Sequence, residues 1–233
     1  WRLIGTTKLI GDRKSPNYFL TNTGNRELNF AAQYEKNISN RWKVSAYFSQ
    51  FQTVIGILRG SHISNISDLE SAMNRDEPFF TKDYFSYQIE APYQNVKHRL
   101  LKIETKYLLS DNQIIDIKYG GQINDREEFD VRRSDYGDAP SLSLQMLSSF
   151  LEAAYTINFR KNWLLKSGIQ YFYIDNTNDN SATGRMPLIP DYRSNQGTAF
   201  LILQKEQDKL SYELGGRVDY RSFEVIEITP TFP

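Results

Sequence analysis

The sequence predicts an all-β protein, part of an antiparallel transmembrane β-barrel with about nine or ten strands in meander order and long extracellular loops, one containing a short helix. Three observations predict this fold class. Apolar and polar residues alternate with a period of two, the alternating runs come in pairs joined by connections that are short and long in turn, and aromatic residues stand beside the short connections. Together they favour strands that cross a membrane over strands packed in a soluble sandwich.

The composition agrees with alternating strands and excludes several classes of function. Only 39% of residues are hydrophobic and the mean hydropathy is -0.56, yet the 233 residues include 15 Tyr and 14 Phe. The 28 basic and 28 acidic residues balance, so no basic surface predicts binding to nucleic acid. The absence of Cys excludes disulfides, thiolate metal sites and Cys nucleophiles, and it fits an exported protein.

The first pair of alternating runs lies in residues 26–49. Every second residue from Leu28 to Tyr34 is apolar or aromatic, and so is every second residue from Trp42 to Phe48. A short polar connection, residues 36–40, separates the two runs. This pattern predicts a β-hairpin.

Three further pairs follow the same pattern. They are residues 101–109 with 115–119, residues 151–159 with 163–173, and residues 198–204 with 210–221. The connections between pairs are long, and they comprise residues 53–97, 125–140 and 175–196. Strict alternation of short and long connections is typical of outer-membrane barrels, which have short periplasmic turns and long extracellular loops. The strands, roughly 10 to 13 residues long, would suffice to cross a bilayer at a steep tilt.

Aromatic residues border the short turns. They are Tyr34, Trp42, Tyr107, Phe159, Trp163 and Tyr212. Any one of them could be a packed core residue of a soluble sheet. Their common position favours a girdle at a membrane interface, and the polar residues of the opposite face would then line a wet lumen.

The sequence of the longest loop predicts a short helix. Ser67 and Glu70 have the spacing of a capping box, in which the Ser side chain accepts from first-turn amides and the Glu side chain reaches back. The apolar residues that follow fall on one helical face, so we expect a helix over residues 68–74.

Candidate ligand contacts are assigned to the long loops. They are Arg59, His62, Asn65, Arg132, Arg133, Tyr192 and Arg193. His62 could bind a metal, but a structural hydrogen-bonding role is favoured, and no metal site is predicted. The two consecutive arginines could contact an anion, or they could belong to a salt-bridge network in the charged residues 124–135, which the balanced charges favour. Tyr192 ends a stiff, Pro-rich segment, residues 186–192, that could form a lip or contact substrate.

No motif for catalysis is present. The sequence has no nucleophile elbow, Walker loop, zinc-ligand spacing or dinucleotide fingerprint. Adjacent carboxylates such as Glu127 and Glu128 would point to opposite sides of a strand, so their spacing does not make an acid–base pair. We therefore expect neither an enzyme nor a bound cofactor.

Six segments, in order along most of the chain, carry a family resemblance. They are NTGNRELN (22–29), GILRGSHISNISDL (56–69, within a run that starts at Phe48), APYQNVKH (91–98), YGGQIN (119–124), PLIPDY (187–192) and LGGRVDY (214–220). As an ordered set they resemble the barrel domain of TonB-dependent outer-membrane receptors. The last segment alone is a sequence motif common to many β-barrels, so the resemblance depends on all six segments occurring in this order.

The resemblance implies a barrel of about 22 strands in the outer membrane of a Gram-negative bacterium, plugged by an N-terminal domain. Such a receptor takes up a scarce ligand: an iron chelate, cobalamin or a glycan. Its partners would be outer-membrane lipid, this ligand, and the TonB protein acting through an N-terminal region that is missing here. The chain starts at Trp1 with neither an initiator Met nor a signal peptide. We therefore expect residues 1–233 to be a segment of the barrel domain of a longer protein, with the plug domain absent.

Two alternatives remain open. One is a small passive outer-membrane barrel or membrane anchor. The other is a soluble secreted β-sandwich that binds carbohydrate or protein.

Overall fold

Antiparallel β-strands make up most of the chain in a computed structural model, which describes residues 1–61, 63, 65–131, 139–160, 162–179, 183, 189–207 and 209–226. The strands are β1 (Arg2–Ile10), β2 (Arg13–Lys14), β3 (Phe19–Leu20), β4 (Asn25–Ser39), β5 (Trp42–Gly56), β6 (Thr81–Lys82), β7 (Tyr93–Ser110), β8 (Gln113–Phe129), β9 (Leu142–Phe159), β10 (Trp163–Asn178), β11 (Asp191–Gln207) and β12 (Leu210–Ile226). The two-residue strands β2, β3 and β6 form a small sheet of their own.

The other nine strands form one sheet whose order is the order of the chain, and every neighbouring pair is antiparallel. This confirms the predicted all-β antiparallel meander. Strands β1 and β12 are the two edges, and within the described residues the sheet does not close on itself. Closure into a transmembrane barrel therefore stays a prediction.

The strands extend further at their loop ends than the sequence predicts. β8 continues to Phe129, β10 to Asn178, and β11 begins at Asp191. Residues 53–56, 93–97, 125–129, 175–178 and 191–196 were expected in loops, and that assignment is wrong. Near the loops both faces of the sheet are polar, so the hydrophobic alternation fades although the backbone hydrogen-bond ladder continues.

The helix α1 (Ile66–Met73) confirms the helix predicted in the longest loop, but its N-cap differs. The cap is Asn65, whose Oδ1 accepts a hydrogen bond from the backbone N–H of Asp68 at 2.8 Å. The predicted capping box of Ser67 and Glu70 is wrong, because the helix begins before Ser67 and the Asn65 side chain already satisfies a first-turn amide.

Candidate functional site

The strand register brings the predicted apolar residues of all the long strands to one face of the sheet, called here the apolar face. Tyr119 pairs with Leu151, which pairs in turn with Tyr171, and paired residues of an antiparallel sheet point to the same side. The large side chains of this face are Leu28, Phe30, Tyr34, Trp42, Phe48, Leu101, Ile103, Tyr107, Ile117, Tyr119, Leu147, Leu151, Phe159, Trp163, Ile169, Tyr171, Leu201, Tyr212, Leu214, Val218 and Tyr220. The predicted assignment of residues to faces is confirmed.

The side chains of the apolar face are exposed. Ile169 is 64% exposed and Leu201 is 50% exposed, although both lie in interior strands of the sheet. Ala154 is the only buried hydrophobic residue in the described part of the chain. The chain exposes 16346 Å², whereas a compact monomer of 27.2 kDa would expose about 11,000 Å². Large apolar side chains exposed together on one face are typical of a surface that contacts a partner or lipid.

The opposite face, called the polar face, carries paired charges. Glu152 accepts hydrogen bonds from Lys118 at 3.2 Å and from Gln170 at 2.6 Å. Asp219 accepts from the Arg217 guanidinium at 2.7 Å and from Thr198 at 2.5 Å. These ion pairs bridge strands or neighbouring positions, so the face is polar without an excess of either charge.

The buried residues of the long strands all lie on the polar face. They are Thr53, Ser148, Glu152, Ala154, Asn176, Ser194 and Thr198. Side chains shield one another on the concave side of a curved sheet and spread apart on the convex side. The sheet therefore curves towards its polar face and presents the apolar face outwards.

The six aromatic residues predicted beside the short turns lie on the apolar face, as expected. The rings of Phe159 and Trp163 stack with centroids 6.4 Å apart, and Lys205 Nζ lies 5.1 Å from the Trp163 ring. Trp42 Nε1 donates to Thr105 Oγ1 at 2.8 Å. These rings thus combine an apolar body with polar contacts, which suits the border between an apolar and a wet environment.

A second group of aromatic residues borders the loop ends of the apolar face. It consists of Tyr171, Tyr173 and Tyr220. Tyr171 Oη donates to Asn195 at 2.6 Å, and Tyr173 Oη donates to Asp175 at 2.9 Å. From the sequence these tyrosines were placed in strands, but a second aromatic border at the loop ends was not predicted. The signal that could have found them was their position in the half of each strand that lies far from the short turn.

On β10 the turn-side and loop-side aromatic residues are separated by a distance that suits a membrane. On β10, the chain from Trp163 to Tyr173 covers about 34 Å along the strand, or about 24 Å vertically at a tilt of about 45°. The apolar band of outer-membrane barrels is about 25 Å tall and is flanked by aromatic girdles.

At the loop end of the sheet, Asn22 joins the connection after β1 to the long loop before β7. Asn22 is buried and has a φ of 60°, a left-handed conformation that Asn tolerates better than most residues. Its Nδ2 donates to the carbonyl oxygens of Ile57 at 2.9 Å and Pro92 at 2.8 Å. Its Oδ1 accepts from the backbone N–H of Glu90 at 2.8 Å.

Aromatic packing strengthens the same junction. Phe85 meets Phe19 edge-on with ring centroids 5.9 Å apart and meets Tyr87 at 4.7 Å. A Cβ atom at Gly11 would lie 2.2 Å from the Phe85 ring, so only glycine fits there without movement. The two segments thus form one folded unit, the loop cap, made of residues 11–24 and 57–92 except the undescribed residues 62 and 64.

A cavity of about 260 Å³ lies within the loop cap. It is lined by Asp12 and Glu90 as well as by Arg59 and Lys82. The Arg59 guanidinium lies 5.1 Å from the Phe80 ring centroid. A hydrogen bond to the Tyr84 side chain raises the pKa of Lys82, which therefore stays cationic at neutral pH. The cavity offers charges of both signs to a polar ligand.

Tyr192 and Arg193 lie in β11, although the sequence analysis placed them in a loop. They point to opposite faces of the sheet. Tyr192 stacks on Phe223 with centroids 5.3 Å apart on the polar face, whereas Arg193 forms an ion pair with Asp175 at 3.3 Å on the apolar face. The structure therefore does not bring these two residues to one site.

The other predicted ligand contacts lie at separate places or outside the described residues. Arg59 lines the loop-cap cavity, and Asn65 serves as the N-cap of α1. His62, Arg132 and Arg133 lie outside the described residues. Of the predicted set, Arg59 lies at the loop-cap cavity.

Helical membrane spans and metal centres are absent from the described residues. None of the helices found there has both the length and the apolar character needed to span a membrane. Within the same residues, no group of three or more His, Cys, Asp or Glu side chains is arranged to hold a metal ion.

The comparisons with known proteins leave the family open. No protein-family model matches the chain, and no curated protein matches it. The resemblance to TonB-dependent receptors therefore stays a prediction from the six ordered segments.

Proposed function

We propose that this chain is part of the wall of an outer-membrane β-barrel that binds a scarce ligand at its loops and takes it up in a TonB-coupled manner. The observation that carries the proposal is the exposed apolar face with aromatic residues along both of its borders. Lipid is the cover that suits such a face, because aliphatic side chains meet acyl chains while Tyr and Trp lie at headgroup level.

The polar face supports the same proposal. In a barrel it would line a wet lumen, where the charges of Glu152, Lys118, Arg217 and Asp219 remain hydrated. The unpaired edges, β1 and β12, would pair with further strands of the full-length protein, because an open sheet edge is not tolerated in lipid.

The loop cap supports a role in ligand capture. Its cavity lies next to Asn22, which fixes the surrounding backbone, and its charged lining would orient a polar group of the ligand. The ligand classes, namely iron chelate, cobalamin or glycan, and the coupling to TonB rest on the resemblance.

The two alternatives differ in how well they fit. A soluble sandwich would bury one apolar face against a second layer, which does not suit the 64% exposure of Ile169. A passive barrel would have the same lipid-facing surface, so only a transport experiment separates it from a receptor.

The test is uptake in cells with and without the full-length protein. The probes are a radiolabelled ferric chelate, cobalamin and a labelled oligosaccharide, each with and without a protonophore. We expect uptake of one probe to depend on the protein and to stop with the protonophore, because TonB coupling uses the proton gradient. Protein-dependent uptake that persists would indicate the passive barrel. Recovery of the full-length protein in buffer without detergent would contradict the membrane location altogether.

A further inference from the structure

A polar trough lies on the apolar face, beyond its loop-side tyrosines. Its volume is about 470 Å³, within the range of about 300–1,000 Å³ that is usual for ligand clefts. It extends from β7 to β10, and the side chains that matter here are Asn95, Lys97, Asp125, Glu127 and Gln145.

The register fixes the side of the sheet on which the trough opens. Asn95 pairs with Glu127, and Asp125 pairs with Gln145, all in phase with the apolar face. On β8, Asp125 follows Ile123 on that face at a distance of about 7 Å along the strand. The trough thus begins where the apolar residues end, on the outward side of the sheet.

The side chains of the trough are held in place by one another. Asp125 accepts hydrogen bonds from Arg99 at 2.6 Å and from Gln145 at 2.7 Å. Asn95 Nδ2 donates to Glu127 at 3.1 Å. The resulting lattice of amides and carboxylates is ordered before any ligand arrives, which reduces the entropic cost of binding.

Two polar atoms in and beside the trough lack a partner. Among the described residues on this face, Asn95 Oδ1 and Arg99 Nε are buried without a hydrogen bond. Buried polar groups are normally paired, so their clustering points to a ligand that supplies both donors and acceptors.

We propose that this trough binds the sugar headgroup of an outer-leaflet glycolipid whose acyl chains cover the apolar face. The proposal rests on the membrane location proposed above. Sugar hydroxyls donate and accept, which matches the mixed set of amides and carboxylates. A ligand in the lumen cannot reach this side of the wall. The carboxylates of Asp125 and Glu127 face the trough, and Arg99 is already paired with Asp125, so a phosphate headgroup would meet negative charge there.

The test uses the full-length protein in phosphatidylcholine vesicles that contain a minor fraction of digalactosyl diacylglycerol. After flotation and mild detergent extraction, native mass spectrometry measures how much glycolipid stays bound. The variant Asn95→Leu/Gln145→Leu removes two sugar-binding side chains, and Gln122→Leu is the matched control, because Gln122 lies on the polar face of β8. We expect retention to fall about tenfold in the double variant and to be unchanged in the control.

Each of the other outcomes decides against the proposal. Equal retention in the double variant and the control would exclude the trough as the site. Preferential retention of phosphatidylglycerol, added in a parallel preparation, would assign the trough to phosphate. Displacement of the glycolipid by the free disaccharide at similar concentration would assign it to soluble sugar. If the protein inserts but retains no glycolipid, only this inference fails, whereas failure to float with the vesicles overturns the proposed function and this inference together.

Discussion

The substitution Leu201→Arg is expected to weaken folding of the full-length protein into lipid vesicles by about 2–4 kcal/mol, whereas Ile202→Arg should change it by less than about 1 kcal/mol. The two residues are neighbours on β11 and point to opposite faces. Leu201 lies near the middle of the apolar face, where an arginine would enter lipid. Ile202 lies on the polar face, where an arginine would meet water.

Comparing Leu201→Arg with Ile202→Arg is a strict test, because the control position is not especially favourable to an arginine. Ile202 stands opposite Lys166, so the control arginine also gains a neighbour of like charge. If the apolar face met water instead of lipid, replacing the half-exposed Leu201 would change stability by about 0.5 kcal/mol or less. Urea titration of folding in vesicles, followed by tryptophan fluorescence, gives both values. Equal effects at the two positions would contradict the assignment of faces.

The substitution Asn22→Asp is expected to destabilise docking of the loop cap by about 3 kcal/mol. The amide nitrogen now donates to the carbonyl oxygens of Ile57 and Pro92, and an aspartate would place a negative oxygen against both. Burial of Asn22 keeps water from compensating. Asn22→Ala should have a smaller effect, because it removes the hydrogen bonds without adding repulsion.

Amide hydrogen exchange of residues 79–92 measures this effect. Asn40→Asp is the control, since it makes the same chemical change at an exposed position in the turn between β4 and β5. We expect faster exchange in Asn22→Asp and no change in Asn40→Asp. Unchanged exchange in Asn22→Asp would mean that the loop cap does not depend on this residue.

Local sequence patterns were sufficient for the two faces of the sheet and for its paired strands. Alternation within each run, such as Leu28 to Tyr34, gave the faces correctly because the side-chain period of a strand is two in any sheet. The turn-side aromatics were found for the same reason, since Trp42 and Trp163 lie next to short connections. The strand β1 was missed because Gly5 and Thr7 interrupt the alternation between Leu3 and Leu9.

The candidate sites were harder to predict because they depend on contacts between distant segments. Asn22 forms hydrogen bonds with backbone groups at residues 57, 90 and 92, and no local sequence pattern predicts contacts between segments so far apart. Asp125 and Glu127 were placed in a charged loop, whereas they belong to β8 and help to form the trough. In the sequence, loss of hydrophobic alternation was interpreted as the end of a strand. In the structure the strand continues, and the loss of alternation marks the point at which both of its faces become polar.

Spin labels along β10 and β11 test the central claim most directly, namely that the apolar face meets lipid. The sequence contains no Cys, so a single introduced cysteine carries the only label in this part of the protein. In vesicles, collision rates with oxygen, which concentrates in lipid, are compared with those of a water-soluble nickel chelate. We expect labels at Ile169, Tyr171 and Leu201 to favour oxygen and labels at Gln170 and Ile202 to favour the chelate. Chelate preference at all five positions, or the reverse alternation, would contradict the account.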